Sequence, residues 1–192
     1  MAGGGEALSG PRVLESRRPW AGRLVRVRVD RVLMPGGGEA EREVVEHPGA
    51  AAVLALLGGN RVVLVEQYRH AAGMSLIEVP AGIVEPGEDP LDCARRELAE
   101  ETGYAAASWE RLARFYSSPG FTDEVIDVYL ARGLSAGPGR PEPGEDVRRL
   151  EVALGEALDM ARRGDIRDGK TVAALYALAD RQRRRQAAGG LE

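Results

Sequence analysis

The chain has 192 residues, a formal net charge of −4 at pH 7, 44% hydrophobic residues and 29% charged ones, the balance of a soluble globular protein with one sizeable core. Mild acidity gives no reason to expect nucleic acid as a partner, and no stretch approaches the roughly 18 apolar residues of a membrane span. One cysteine, Cys93, excludes an internal disulfide and agrees with a reducing cytoplasm as the expected location.

In chain order, Met1–Pro11 is Gly-rich and has no basic segment followed by an apolar run, so no signal peptide is read there. Residues 1–19 are expected to be a disordered tail. Between Arg23 and Met34, Val25, Val27 and Val29 alternate with arginines, the pattern of a strand with one face buried. Pro35-Gly36-Gly37-Gly38 signals a turn, and Glu41–His47 is the returning strand, so residues 20–48 read as a β-hairpin. Ala50–Leu57 is a continuous apolar run, as in a strand buried on both faces. Gly58-Gly59-Asn60 turns into a further strand, Arg61–Tyr68.

The first helix signal is Asp89 as N-cap, with Pro90 at the first helical position and Asp92 in the first turn. Leu91, Ala94 and Leu98 follow at helical spacing, and Gly103 is suited to the left-handed residue past the end. Strand patterns resume at Trp109–Tyr116, Val125–Ala131 and Val147–Val152, and helices are predicted at Leu154–Arg163 and Lys170–Arg183. Strands first, one helix inserted and two at the end predict an α/β sandwich on a mixed sheet. Residues 184–192 read as a flexible tail. The Arg181–Arg185 run before it is either the solvated end of the last helix or a basic patch for anions.

The chemically informative block runs from Gly82 to Tyr104. A Gly- and Pro-containing loop, Gly82–Glu88, leads into the helix that carries Arg96, Glu97, Glu100 and Glu101. On a helix these glutamates share one face, while Leu98, about 100° away from Glu97, turns to the core. Like charges so close repel, and hard divalent cations relieve that repulsion. Three glutamates alone are equally the solvated face of an acidic helix. The loop changes that balance, because Gly82 and Gly87 permit close backbone approach and special dihedrals.

Residues 82–104 resemble the Nudix box, with Gly82, Glu88, Arg96, Glu97, Glu100, Glu101 and Gly103 at its fixed positions and Leu98 and Tyr104 at apolar ones. The resemblance implies a Nudix-type α/β/α sandwich over residues 49–183, and hydrolysis of nucleoside diphosphates linked to another moiety. It also implies Mg²⁺ as cofactor, with Mn²⁺ as a substitute, held by Glu97, Glu100, Glu101 and the main-chain carbonyl of Ala81. By the same resemblance, Glu88 and Arg96 are expected to hold loop and helix together, and Arg96 and Glu100 to belong to the catalytic group.

Sixteen residues beyond Gly103, Pro119-Gly120 in Ser117–Glu124 resembles the marker of the ADP-ribose pyrophosphatase branch. By residue type alone it is a β-turn between two strands. Arg69, in Glu66-Gln67-Tyr68-Arg69, is a candidate for bidentate hydrogen bonds to a diphosphate, or else an ordinary salt-bridge partner. Glu78 is a candidate sugar contact, and Trp20 or Tyr68 a stacking partner for adenine unless each simply packs. His47, His70 and Cys93 carry no catalytic spacing and are expected to be structural.

The substrate these features imply is ADP-ribose, cleaved to AMP and ribose 5-phosphate; the alternatives are another nucleoside diphosphate sugar or dinucleotide, such as GDP-mannose or NADH. An acid outside the box is needed to orient or deprotonate the attacking water. The loop Gly137–Asp146 offers Glu142, taken as base, and Glu145, taken as a substrate-induced metal ligand, with the reverse assignment and a plain solvated loop as alternatives. A ligand sensor that binds without cleaving is the rival from another class, and the intact box argues against it. By analogy with the same branch, the hairpin is expected to form a homodimer.

Overall fold

A computed structural model describes residues 10–137 and 147–189. The chain divides into two compact units: Met1–Pro48 with Ser118–Glu124, and Gly49–Ser117 with Val125–Glu192.

The first unit is built on an antiparallel sheet of β1 (Arg12–Ala21), β2 (Arg26–Leu33) and β3 (Glu39–Glu46) in that spatial order. The predicted turn closes β2 onto β3, with Gly37 and Gly38 at φ of 81° and 85° and Met34 N–H donating to the Gly38 carbonyl at 3.0 Å. Residues 12–19, expected in a disordered tail, are instead most of β1, so the hairpin becomes a three-stranded sheet. The strand was invisible because its sequence has charge where alternation would be sought. It is held by cross-strand ion pairs: Arg17 with Glu41 at 3.1 Å, Arg18 with Glu46 at 2.8 Å and Arg31 with Glu15 at 3.2 Å. Beneath them the buried Asp30 accepts from Ser16 Oγ at 2.6 Å and from Arg28. Such pairs stabilise weakly one by one, and their value lies in the network.

The second unit is a mixed sheet in the order β10-β5-β4-β9-β8, with β6 against β5 and β7 against β4. Its strands are β4 (Ala50–Leu57), β5 (Arg61–Arg69), β6 (Met74–Glu78), β7 (Ala81–Ile83), β8 (Tyr104–Tyr116), β9 (Val125–Ala136) and β10 (Val147–Ala153). Only the central β4–β9 pair is parallel among those registered; β4 is buried on both faces over Ala51–Ala55, as the run Ala50–Leu57 predicted, and so is Ile126–Ala131 of β9. Left-handed Gly59 and Asn60 form the tight β4–β5 turn.

The period of 2 sorts the core into two layers. Ala52, Leu54, Val62, Leu64, Val128 and Leu130 pack with α2 (Leu154–Arg163) and α3 (Gly169–Gly189). Ala51, Val53, Ala55, Val63 and Ala131 face the opposite way and meet Cys93, Ala94 and Leu98 of α1 (Pro90–Thr102). The result is the α/β/α sandwich that the resemblance implied, on the mixed sheet that the order of elements predicted.

The placement of α1 follows from its ends. Asp89 Oδ1 accepts from Leu91 N–H at 2.8 Å, Pro90 needs no partner for a missing N–H, and Gly103 at φ 71° returns its N–H to the Ala99 carbonyl. Arg149 of β10 then donates to the last carbonyl, that of Thr102, at 2.6 Å, with its guanidinium 4.8 Å from the centre of the Tyr104 ring. Leu98, fully buried, anchors the apolar face.

Candidate active site

Arg96 organises the box. Its guanidinium donates to Glu88 through Nε (3.1 Å) and Nη2 (3.2 Å), to Glu97 Oε1 (2.5 Å) and Glu100 Oε2 (3.2 Å) through Nη1, and to the Ile83 carbonyl (3.2 Å). Glu88 in turn accepts from Glu85 N–H at 2.9 Å, closing the loop on itself. The hydrogen bond from Arg96 holds the Glu88 carboxyl below the usual carboxylate range, and the Glu88 bond raises the already high pKa of Arg96. The helix is thereby stapled to the loop by a planar five-donor group, a task lysine's single ammonium could not perform.

Glu97 and Glu101, one turn apart, are both buried, at 9% and 7% exposure, and Glu100 is half-buried. Glu101 Oε2 accepts from the Ala81 N–H at 3.1 Å. Gly82 lies directly against Glu97: a side chain there would overlap the carboxylate. Gly87 serves differently, with open space around it and φ at 83°. Gly82, Glu88, Arg96, Glu97, Glu100 and Glu101 of the box are thus brought together with Ala81 just before it, two carboxylates meeting the backbone of β7, while Gly103 serves apart from them as the left-handed end of α1. Cys93 closes the loop from below, its Sγ 3.4 Å from the Ile83 carbonyl. Burial pushes its thiol up to about 12, so it is a packing group and not a nucleophile.

Arg69 and Glu78 form a second cluster. Glu78 is 1% exposed and accepts from Arg69 Nε (2.9 Å) and Nη2 (2.8 Å). It also pairs with Lys170, a residue absent from the predicted site. Nothing local flagged Lys170, which reads as one more charge at a helix start, 92 residues from its partner. Burial alone pushes the Glu78 carboxyl up, but Arg69 and Lys170 outweigh it and hold it below the usual range.

Of the remaining candidates, one is on β5, others belong to the first unit, and the rest fall outside the described residues. Tyr68, on β5, is 59% exposed. Trp20 belongs to the first unit, 53% exposed, with its ring against Gly22. Pro119 and Gly120 also fold with that unit, in a turn where Ser118 O accepts from Phe121 and Thr122 N–H at 3.1 Å each and Val45 N–H donates to Phe121 O at 2.8 Å. His47 N–H there donates to Asp123 at 2.8 Å. Glu142, Glu145 and Asp146 fall outside the described residues.

The glycine-containing loop, the carboxylate helix and the mixed sheet between helices define a Nudix-type sandwich. The NUDIX domain pattern matches residues 46–175. The chain is 44% identical to a methanol dehydrogenase activator of Bacillus methanolicus over 169 residues, 87% of this chain and 91% of that one. It is 40% identical to an ADP-ribose pyrophosphatase of Bacillus subtilis (strain 168) over 161 residues, 83% and 87% of the two chains. A crystal structure of an ADP compounds hydrolase shares the fold, with a TM-score of 0.83 over 94% of this chain and 98% of that one, at 19% identity. The chain belongs to the NUDIX family and is one of its hydrolases.

Proposed function

We propose that the protein hydrolyses the diphosphate of ADP-ribose to AMP and ribose 5-phosphate with Mg²⁺ as cofactor and Mn²⁺ as a working substitute. The observation that carries the reading is the intact box in its folded form, with buried Glu97 against Gly82 and buried Glu101 on the Ala81 N–H. The 40% identity to an ADP-ribose pyrophosphatase supports the choice of substrate.

The donor set suits the cation. Carboxylates and a main-chain carbonyl are hard oxygen ligands, as Mg²⁺ and Mn²⁺ prefer. Among the described residues no three acidic, His or Cys side chains form a closed metal cage, which is compatible with Mg²⁺, an ion that takes one or two carboxylates and keeps waters. Glu97, Glu101 and the Ala81 carbonyl would hold it, with Glu100 as a further ligand. When bound, the metal supplies neutralisation of the diphosphate charge and a lowered pKa for a coordinated water.

The chain's own residues do the rest. Arg96 keeps Glu97 and Glu100 in place and partly offsets their repulsion. Arg69, half-exposed and oriented by Glu78, presents a guanidinium to the diphosphate. Outside the described residues, Glu142 would serve as the base for the attacking water and Glu145 as a further ligand to the metal. Tyr68, exposed on β5, stacks on the adenine, while Glu78, buried with both oxygens engaged, orients Arg69 and does not itself reach the sugar. The protein works in the cytoplasm as a homodimer joined through the first unit.

The test compares kcat/KM for ADP-ribose, GDP-mannose and NADH with Mg²⁺. ADP-ribose is expected to be highest, and a higher value for either other compound overturns the substrate assignment. Glu97→Gln and Glu101→Gln are expected to abolish turnover in folded protein; Mg²⁺-dependent turnover retained by both would sink the metal-site assignment.

A further inference from the structure

The start of α3 touches the segment that leads into the box at two successive residues. Thr171 Oγ1 accepts from Val79 N–H at 2.8 Å, and the Lys170 ammonium pairs with the Glu78 carboxylate. Asp168 caps the same turn, accepting from Thr171 N–H at 3.0 Å and Thr171 Oγ1 at 2.6 Å, and stands 3.1 Å from Lys170 Nζ. Two residues beyond Val79, Ala81 N–H is held by Glu101 of α1. Residues 78–81 therefore hang between α3 on one side of the sheet and α1 on the other.

Three charges meet at this clamp, and they differ in access. The side chains of Glu78 and Lys170 are 2% and 12% exposed, whereas that of Arg69 is 39% exposed. Lys170 is therefore committed inward and poorly placed to touch a substrate, while Arg69 opens to solvent. Arg69 gives Nε and Nη2 to Glu78, which leaves the Nη1 side of the fork facing away from that carboxylate.

A bidentate arginine–carboxylate pair is nearly self-neutralised, and an incoming diphosphate must compete with the carboxylate for it. A second cation on the same carboxylate changes this. Lys170 takes up part of the Glu78 charge, so Arg69 stays oriented yet keeps a net pull on an anion. We infer that Lys170 is a positioning residue for the diphosphate: by sharing Glu78 with Arg69, it keeps the Arg69 guanidinium a cationic, correctly aimed donor. The inference rests on the reading of this site as one that binds a nucleoside diphosphate derivative.

A purely structural role for Lys170 would lower stability and leave the kinetic pattern alone. Wild type, Lys170→Met and Lys170→Arg are compared on whichever of ADP-ribose, GDP-mannose and NADH the wild type cleaves fastest, with thermal unfolding followed in parallel. Lys170→Met is expected to raise KM roughly tenfold or more with kcat within about threefold. Lys170→Arg, which keeps the charge, is expected to return KM to within about threefold of wild type. If Lys170→Met does not fold, Lys170→Gln takes its place. Unchanged KM, a loss confined to kcat, or an arginine variant no better than the methionine one overturns the assignment while an active wild type leaves the diphosphatase reading standing. A wild type that cleaves none of the three overturns that reading, and the role of Lys170 with it.

Discussion

At Gly82 a methyl group would occupy the space of the Glu97 carboxylate. That carboxylate is pinned by Arg96, so it cannot simply swing away, and Gly82→Ala must displace either the Glu97 side chain or the backbone of β7. Shifts of about 1 Å at a reacting centre can cost on the order of 100-fold. Gly82→Ala is therefore expected to lose about 100-fold in kcat/KM and to need more Mg²⁺ for half-maximal rate; turnover at wild-type level would show that the contact is dispensable. Glu88 makes a different prediction, about pH. Because Arg96 depresses its folded-state pKa, its stabilisation is fully present above the ordinary carboxylate pKa and is lost as pH falls through the depressed value. Glu88→Gln should be less stable than wild type at pH 7, with the gap closing below about pH 4.5; a gap that persists or widens in acid contradicts this.

Among the elements, α1 was the most legible. Its cap, proline, apolar stripe and terminal glycine are all local signals, and each does in the fold what the spacing predicted. Asp89→Ala should cost about 1 kcal/mol in unfolding free energy, and Leu98→Ala about 2–5 kcal/mol, because Leu98 is fully enclosed; chemical denaturation of the two variants checks both. A larger loss for the cap than for the core leucine would mean that the helix is held by its end and not by its face. Three strands escaped sequence reading for physical reasons. β1 carries arginines and glutamates where alternation is sought, and exists through partners in β2 and β3. β6 and β7 have 5 and 3 residues, too few to show a period, and acquire their extended form from registers with β5 and β4.

Across the whole molecule, a cation that binds only the folded state raises stability by mass action, by about 2.7 kcal/mol at a concentration 100 times its Kd. Saturating Mg²⁺ is expected to raise Tm of wild type by about 5 °C or more and to raise that of Glu97→Gln and Glu101→Gln far less. An equal rise in both variants would place the ion elsewhere. The proposed dimer is checked by sedimentation velocity at working concentration, where a monomer would remove the first unit's assigned role. No helix among the described residues is long and apolar enough to cross a membrane.

The sequence by itself determined the box and the layered α/β architecture, since caps, glycines and the periods of 2 and 3.6 are written within a few residues of where they act. Only the tertiary structure decided that Gly82 is an absence shaped by Glu97 and that residues 12–19 pair as a strand. It also decided that Ser118–Glu124 folds with the first unit and that Glu78 is buried between Arg69 and Lys170. Each of these depends on partners that lie 9 to 92 residues apart, brought together by sheet registers and helix docking, for which the local sequence holds no signal.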